Sequence, residues 1–146
     1  MRKLLNTLCL AAFVWGTAPA MAGENEVMLY KNPQCGCCEG HAEHLRQNGF
    51  KVTEQATHNL AQMSSEAGIP EEFQGCHLAF VDGYVVSGHV PASTVRKLLT
   101  ERPDIKGVTL PGMPTGSPGM PGPKEGPLEV LEITKSGTVG GVYARE

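Results

Sequence analysis

Apolar positions along the chain fall into short runs separated by turn residues. Val27-Met28-Leu29-Tyr30 is a continuous apolar run after a polar stretch and reads as a buried strand. Lys31-Asn32-Pro33-Gln34 is loop. Residues 37–48 then read as a helix, because Cys38, Ala42 and Leu45 share one face and Gly49 stops it at C′. Residues 50–56 alternate weakly and read as a second strand. Asn59 is placed to cap a second helix over 60–67, closed by Gly68 and Pro70. Residues 77–81 and 84–87 are apolar strands joined by Asp82-Gly83, a favoured two-residue hairpin turn. Pro91 opens a third helix over 92–100.

The predicted order is β-α-β, then α, then β-β-α. The first strand pair is expected to be parallel with a right-handed crossover, and the second to be an antiparallel hairpin. A mixed α/β sheet with flanking helices on both faces is the thioredoxin or glutaredoxin plan. Two pieces extend it. Residues 111–127, PGMPTGSPGMPGPKEGP, hold too much Pro and Gly for helix or interior strand and form a linker or a packed loop. Residues 128–134 and 138–143 read as a C-terminal β-hairpin around Lys135-Ser136-Gly137.

The first 22 residues differ from the rest. Arg2 and Lys3 precede a mostly apolar stretch over 4–14, and Ala20-Met21-Ala22 is a small-x-small cleavage signal. This pattern is a secretory signal peptide, with the cut expected after Ala22 and a single domain over 23–146. The apolar stretch is too short to span a bilayer as a mature helix. Cys9 leaves with the signal. Losing Arg2 and Lys3 takes the formal net charge from −3 to −5. An acidic surface argues against nucleic acid and anionic membranes as partners.

Four cysteines remain: Cys35, Cys37, Cys38 and Cys76. An oxidising compartment favours disulfides, yet three of the four are crowded within four residues. One-apart and adjacent cysteines rarely meet disulfide geometry, so the cluster reads as reactive or metal-binding. Cys35 and Cys38 have the C-x-x-C spacing of a redox dithiol at a helix start, where unpaired N–H groups favour thiolate. Cys37 adds a third soft donor. The fold plan puts the residue before the third strand against the dithiol, so Cys76 is expected to complete a four-thiol set. Many such domains carry a cis-proline there, and this chain has none.

His89, in the turn before the third helix, is a candidate neighbour of the thiols. His77 is expected to point away by strand alternation. His41 and His44 read as solvent-facing on the first helix. Met113 and Met120 recur in matching Pro-Gly-Met-Pro contexts with no core periodicity. Met28 and Met63 sit at core-like positions. Thiolate, thioether and imidazole together suit Cu(I). Thiol–disulfide exchange is the alternative, with Cys35 attacking and Cys38 resolving. A four-thiolate zinc site is the third reading, although the spacing differs from the paired C-x-x-C knuckles of zinc domains.

The segments YKNPQCGCCEGHAEHLRQNGF, GCHL, GYVVSGHVPA and PGMPTGSPGM closely resemble the CopG-type periplasmic copper-resistance proteins. The resemblance extends over essentially the whole mature chain. It implies a thioredoxin-like fold, a multinuclear Cu(I) site at the C-x-C-C cluster, and copper redox activity. By position Cys35, Cys37, Cys38 and Cys76 match the thiols of that family, and His89, Met113 and Met120 are further candidate ligands. The expected location is the periplasm, and the expected partners are copper ions and other periplasmic copper-handling proteins.

Overall fold

The computed structural model describes residues 25–146, so the signal segment and its cleavage site lie outside the described residues. Strands are β1 (Glu26–Lys31), β2 (Lys51–Ala56), β3 (His77–Val81), β4 (Tyr84–Ser87), β5 (Gly107–Thr109), β6 (Glu129–Ile133) and β7 (Val139–Arg145). Helices are α1 (Gly36–Gln47), α2 (Leu60–Glu66) and α3 (Ala92–Glu101), with one 3₁₀ turn at Glu71–Phe73. All seven strands form one mixed sheet in the order β2-β1-β3-β4-β5-β6-β7. β1 and β2 are parallel, and β3 is antiparallel to both β1 and β4. The parallel β1–β2 pair and the antiparallel β3–β4 hairpin are the two pairings that the sequence pattern predicts.

Alternation along the strands divides the core between the two faces. Val27, Leu29, Ala79, Val81 and Val86 pack with Ala42 and Leu45 of α1 and with Val95 and Leu98 of α3. Leu78 and Val85 pack with Leu60 of α2, Ile69 and Ile133 on the other side. Each fully buried leucine contributes about 1.5–3 kcal/mol of transfer free energy. Met28, expected in the core, is exposed opposite Phe80. Among the described residues no helix is long and apolar enough to cross a membrane.

Asp82 and Gly83 both have positive φ, 45° and 84°, as a type I′ hairpin turn requires. Other ends differ from expectation. Asn59 makes no side-chain cap on α2, and its N–H instead donates to Thr57 Oγ1 at 3.1 Å. Pro91 is the N-cap of α3 rather than its first residue. The N–H of Ala92 donates to His44 Nε2 at 3.2 Å, so α1 supplies the cap.

The sequence pattern gives no sign of β5. Three residues are too few for a period, and Gly107 is there for contact: a Cβ on it would lie 1.9 Å from Val85 O. β5 pairs parallel to β4 and antiparallel to β6, which joins the C-terminal hairpin to the main sheet. The 111–127 loop thus leaves and returns at neighbouring strands.

Candidate metal centre

The turn after β1 delivers the first three sulfurs. The N–H of Cys35 donates to Asn32 O at 3.1 Å, and Cys35 is the extended N-cap of α1. Cys37 and Cys38 therefore occupy the first turn. Cys38 lies on the stripe it shares with His41, Ala42 and Leu45, and is fully buried. Cys35 and Cys38 are joined as a disulfide, and Cys37 and Cys76 are free thiols. Cys37 Sγ lies 3.4 Å from Cys35 Sγ.

Cys76 arrives from the other side of the chain. It immediately precedes β3, where Gly75 and Gly88 cross in backbone contact. A Cβ on Gly75 would lie 2.3 Å from Gly88 Cα, so no larger residue fits. The N–H of Gly75 donates to Ser87 Oγ at 3.0 Å, and that of Gly88 to His77 O at 3.1 Å. This crossing sets Cys76 opposite His89. Cys76 Sγ lies 3.5 Å from Cys38 Sγ, 4.0 Å from Cys37 Sγ and 2.9 Å from His89 Nε2.

Two histidine expectations are corrected. His77 does not point away, since its Nδ1 lies 3.4 Å from Cys76 Sγ. Alternation governs side chains within a ladder, and Cys76 lies just outside β3. His41 is not solvent-facing: it is fully buried, and its Nε2 donates to Val90 O at 2.8 Å. It occupies the i+3 position from Cys38 on the core stripe, a signal that was present in the sequence. His44 likewise faces inward to cap α3. The rings of His41, His77 and His89 lie 4.6–5.4 Å apart. Among the described residues His41 Nδ1 and His77 Nε2 are buried without a hydrogen-bond partner.

Burial sets the protonation of this group. It pushes His77 well below the ordinary imidazole range and His41 down to about 3, each further disfavoured by the neighbouring rings. Burial also lowers His89. The histidines are thus neutral at pH 7, the form that binds metal. Burial and the nearby Cys37 sulfur push the Cys76 thiol up to about 12. Without metal, Cys76 keeps its proton and can donate it to His89 Nε2. Lys31, buried at the end of β1, pairs with Glu39 at 3.0 Å alongside.

Two overlapping donor sets result. The ligand atoms of Cys35, Cys37, Cys38 and Cys76 lie within 4.8 Å of one another, and so do those of Cys76, His77 and His89. Thiolates and neutral imidazoles suit a soft or borderline ion. His41 donates through Nε2 to Val90 O, so its unpartnered Nδ1 holds a lone pair behind these sets. The 111–127 loop is packed rather than free. Pro118 O lies 2.6 Å from His89 Nδ1, and Ser117 is buried. Met120 is half-buried beside that contact, whereas Met113 is 53% exposed.

Residues 73–120 match the family described as "Protein of unknown function, DUF411". No curated protein sequence matches the chain. A solved structure titled "Copper resistance protein copG- Form 1" is similar at 38% identity and a TM-score of 0.77, over 85% of this chain and 98% of that one. The corresponding Form 2 structure is similar at 38% identity and a TM-score of 0.76, over 83% and 97%. With its cysteine–histidine cluster able to bind metal, the chain belongs to the CopG family of copper resistance proteins.

Proposed function

We propose that the protein acts in copper resistance in the periplasm by holding Cu(I) on Cys35, Cys37, Cys38 and Cys76, with His89 and His77 as imidazole donors. One observation carries this reading: four sulfurs from two distant segments lie in a contact chain that ends on His89. Cu(I) prefers thiolate and imidazole, and four bridging sulfurs accommodate more than one ion. Binding replaces thiol protons, so loading releases protons to solvent. Met120, carried by the packed loop, is the better placed of the two methionines. The periplasmic location rests on the signal features of residues 1–22.

The Cys35–Cys38 disulfide favours a second reading as a thiol–disulfide oxidoreductase. Its reduction takes two electrons and two protons and returns two thiols. Cys35 thiolate would then attack a substrate disulfide, and Cys38 would resolve the mixed disulfide. The same reduction makes the full sulfur set available to copper.

Anaerobic Cu(I) titration of the reduced protein against a competing chelator, paired with an insulin reduction assay, separates the two. The expected result is tight uptake of several ions with weak reductase activity. Strong reductase activity without Cu(I) uptake would overturn the copper reading.

A further inference from the structure

The 111–127 loop meets the cysteine helix backbone to backbone at Gly119 and Gly40. A Cβ on Gly119 would lie 2.5 Å from His41 N, 2.7 Å from Cys37 O and 2.9 Å from Gly40 C. A Cβ on Gly40 would lie 3.0 Å from Gly119 Cα and 3.2 Å from Gly119 O. The two backbones meet because neither residue has a side chain. Gly119 also has φ +86°, a region that disfavours any other residue.

The loop is braced where it makes this contact. Ser117 donates to Pro114 O through both Oγ, at 2.7 Å, and N–H, at 3.1 Å. The N–H of Met120 donates to Ser117 O at 2.8 Å. Pro118, between these points, places its carbonyl 2.6 Å from His89 Nδ1. A carbonyl oxygen only accepts, so Nδ1 carries the ring proton. Nε2 is left with its lone pair, 2.9 Å from Cys76 Sγ. A free imidazole in water holds its proton mainly on Nε2, which would leave no lone pair facing the sulfurs.

We infer that Pro118-Gly119 is a positioning strap. Seating of Gly119 on Gly40 holds the Pro118 carbonyl against His89, fixes the Nδ1–H tautomer, and so presents Nε2 as a ready ligand beside Cys76. Partners of this kind orient a ligand imidazole and raise its basicity, and their loss typically costs about 10–100-fold in metal affinity. The effect on affinity rests on the copper reading above. The effect on the tautomer does not, because it is a property of the metal-free protein.

The test uses ¹⁵N-labelled, reduced protein. Long-range ¹H–¹⁵N spectra report the His89 tautomer without metal, and chelator competition reports Cu(I) affinity. Wild-type protein should show His89 protonated on Nδ1. Gly119→Ala should shift His89 toward Nε2–H and weaken Cu(I) binding by about 10–100-fold. Gly126→Ala, in the same loop with nothing within 4 Å of the added Cβ, should change neither. If Gly119→Ala does not fold, Gly40→Ala should shift both readouts in the same direction by less. A folded Gly119→Ala protein that keeps the Nδ1–H tautomer and wild-type affinity would overturn the strap, as would Nε2–H in the wild type. Tautomer control without Cu(I) binding by the wild type would instead overturn the copper reading and leave the strap standing.

Discussion

The candidate centre has a sulfur side and an imidazole side, built in opposite ways. Three of the four sulfurs come from one turn, within four consecutive residues, and Cys35, Cys37 and Cys76 are partly open to solvent. The imidazoles come from α1, from β3 and from the turn before α3, and His41, His77 and His89 are all buried. Proximity on the sulfur side is covalent and nearly independent of the fold. On the imidazole side it exists only once the sheet has formed. The sulfur side can therefore change state, from disulfide to dithiol, while the imidazole side is a buried set of neutral rings.

Cys76 joins the two sides, so removing it should do the most damage. Cys76→Ser should lower the Cu(I) count per chain and weaken the remaining binding by at least about 100-fold, beyond what loss of a supporting group causes. Chelator competition checks this, and an unchanged count would remove Cys76 from the centre.

Acidification should act on the imidazole side alone. The buried histidines fold neutral, with pKa values depressed below their unfolded values of about 6.5. The unfolded chain then binds more protons below pH 6.5, so the stabilising contribution is full above that value and lost as pH falls toward the folded pKa. Between pH 6.5 and 5 the metal-free protein should lose about 2 kcal/mol for His41 alone. Denaturant melts at the two pH values test this. His41→Phe should flatten the dependence, and an equally steep curve in that variant would rule His41 out as the source.

The smallest effect is expected far from either side. The Glu146 carboxylate accepts from Thr94 Oγ1 at 2.6 Å and Ser93 Oγ at 2.7 Å, tying the C-terminus to α3. The Thr94 bond leads in holding its pKa below the usual range. Its contribution is present above pH 4.5 and lost as pH falls through the depressed folded value. Glu146→Ala should lower Tm by about 2 °C or less and leave Cu(I) affinity unchanged. A change in affinity would mean that the C-terminal hairpin communicates with the centre.

Taken alone, the sequence determined most of the framework. The apolar runs placed β1, β3 and β4, Asp82-Gly83 placed the hairpin, and Gly49 ended α1. Each is a local signal that a short stretch of chain expresses by itself. The C-x-C-C spacing likewise marked the sulfurs, because adjacent residues on a turn cannot avoid one another. The tertiary structure decided what depends on distant segments meeting. β5 exists because Gly107 lets the chain lie against Val85, and the Gly75–Gly88 crossing turns Cys76 and His89 toward each other. His77 joins Cys76 because the backbone before β3 has left the ladder whose alternation would have turned it away. A side chain's burial and partners are sums over the whole packed chain, and no local period encodes them.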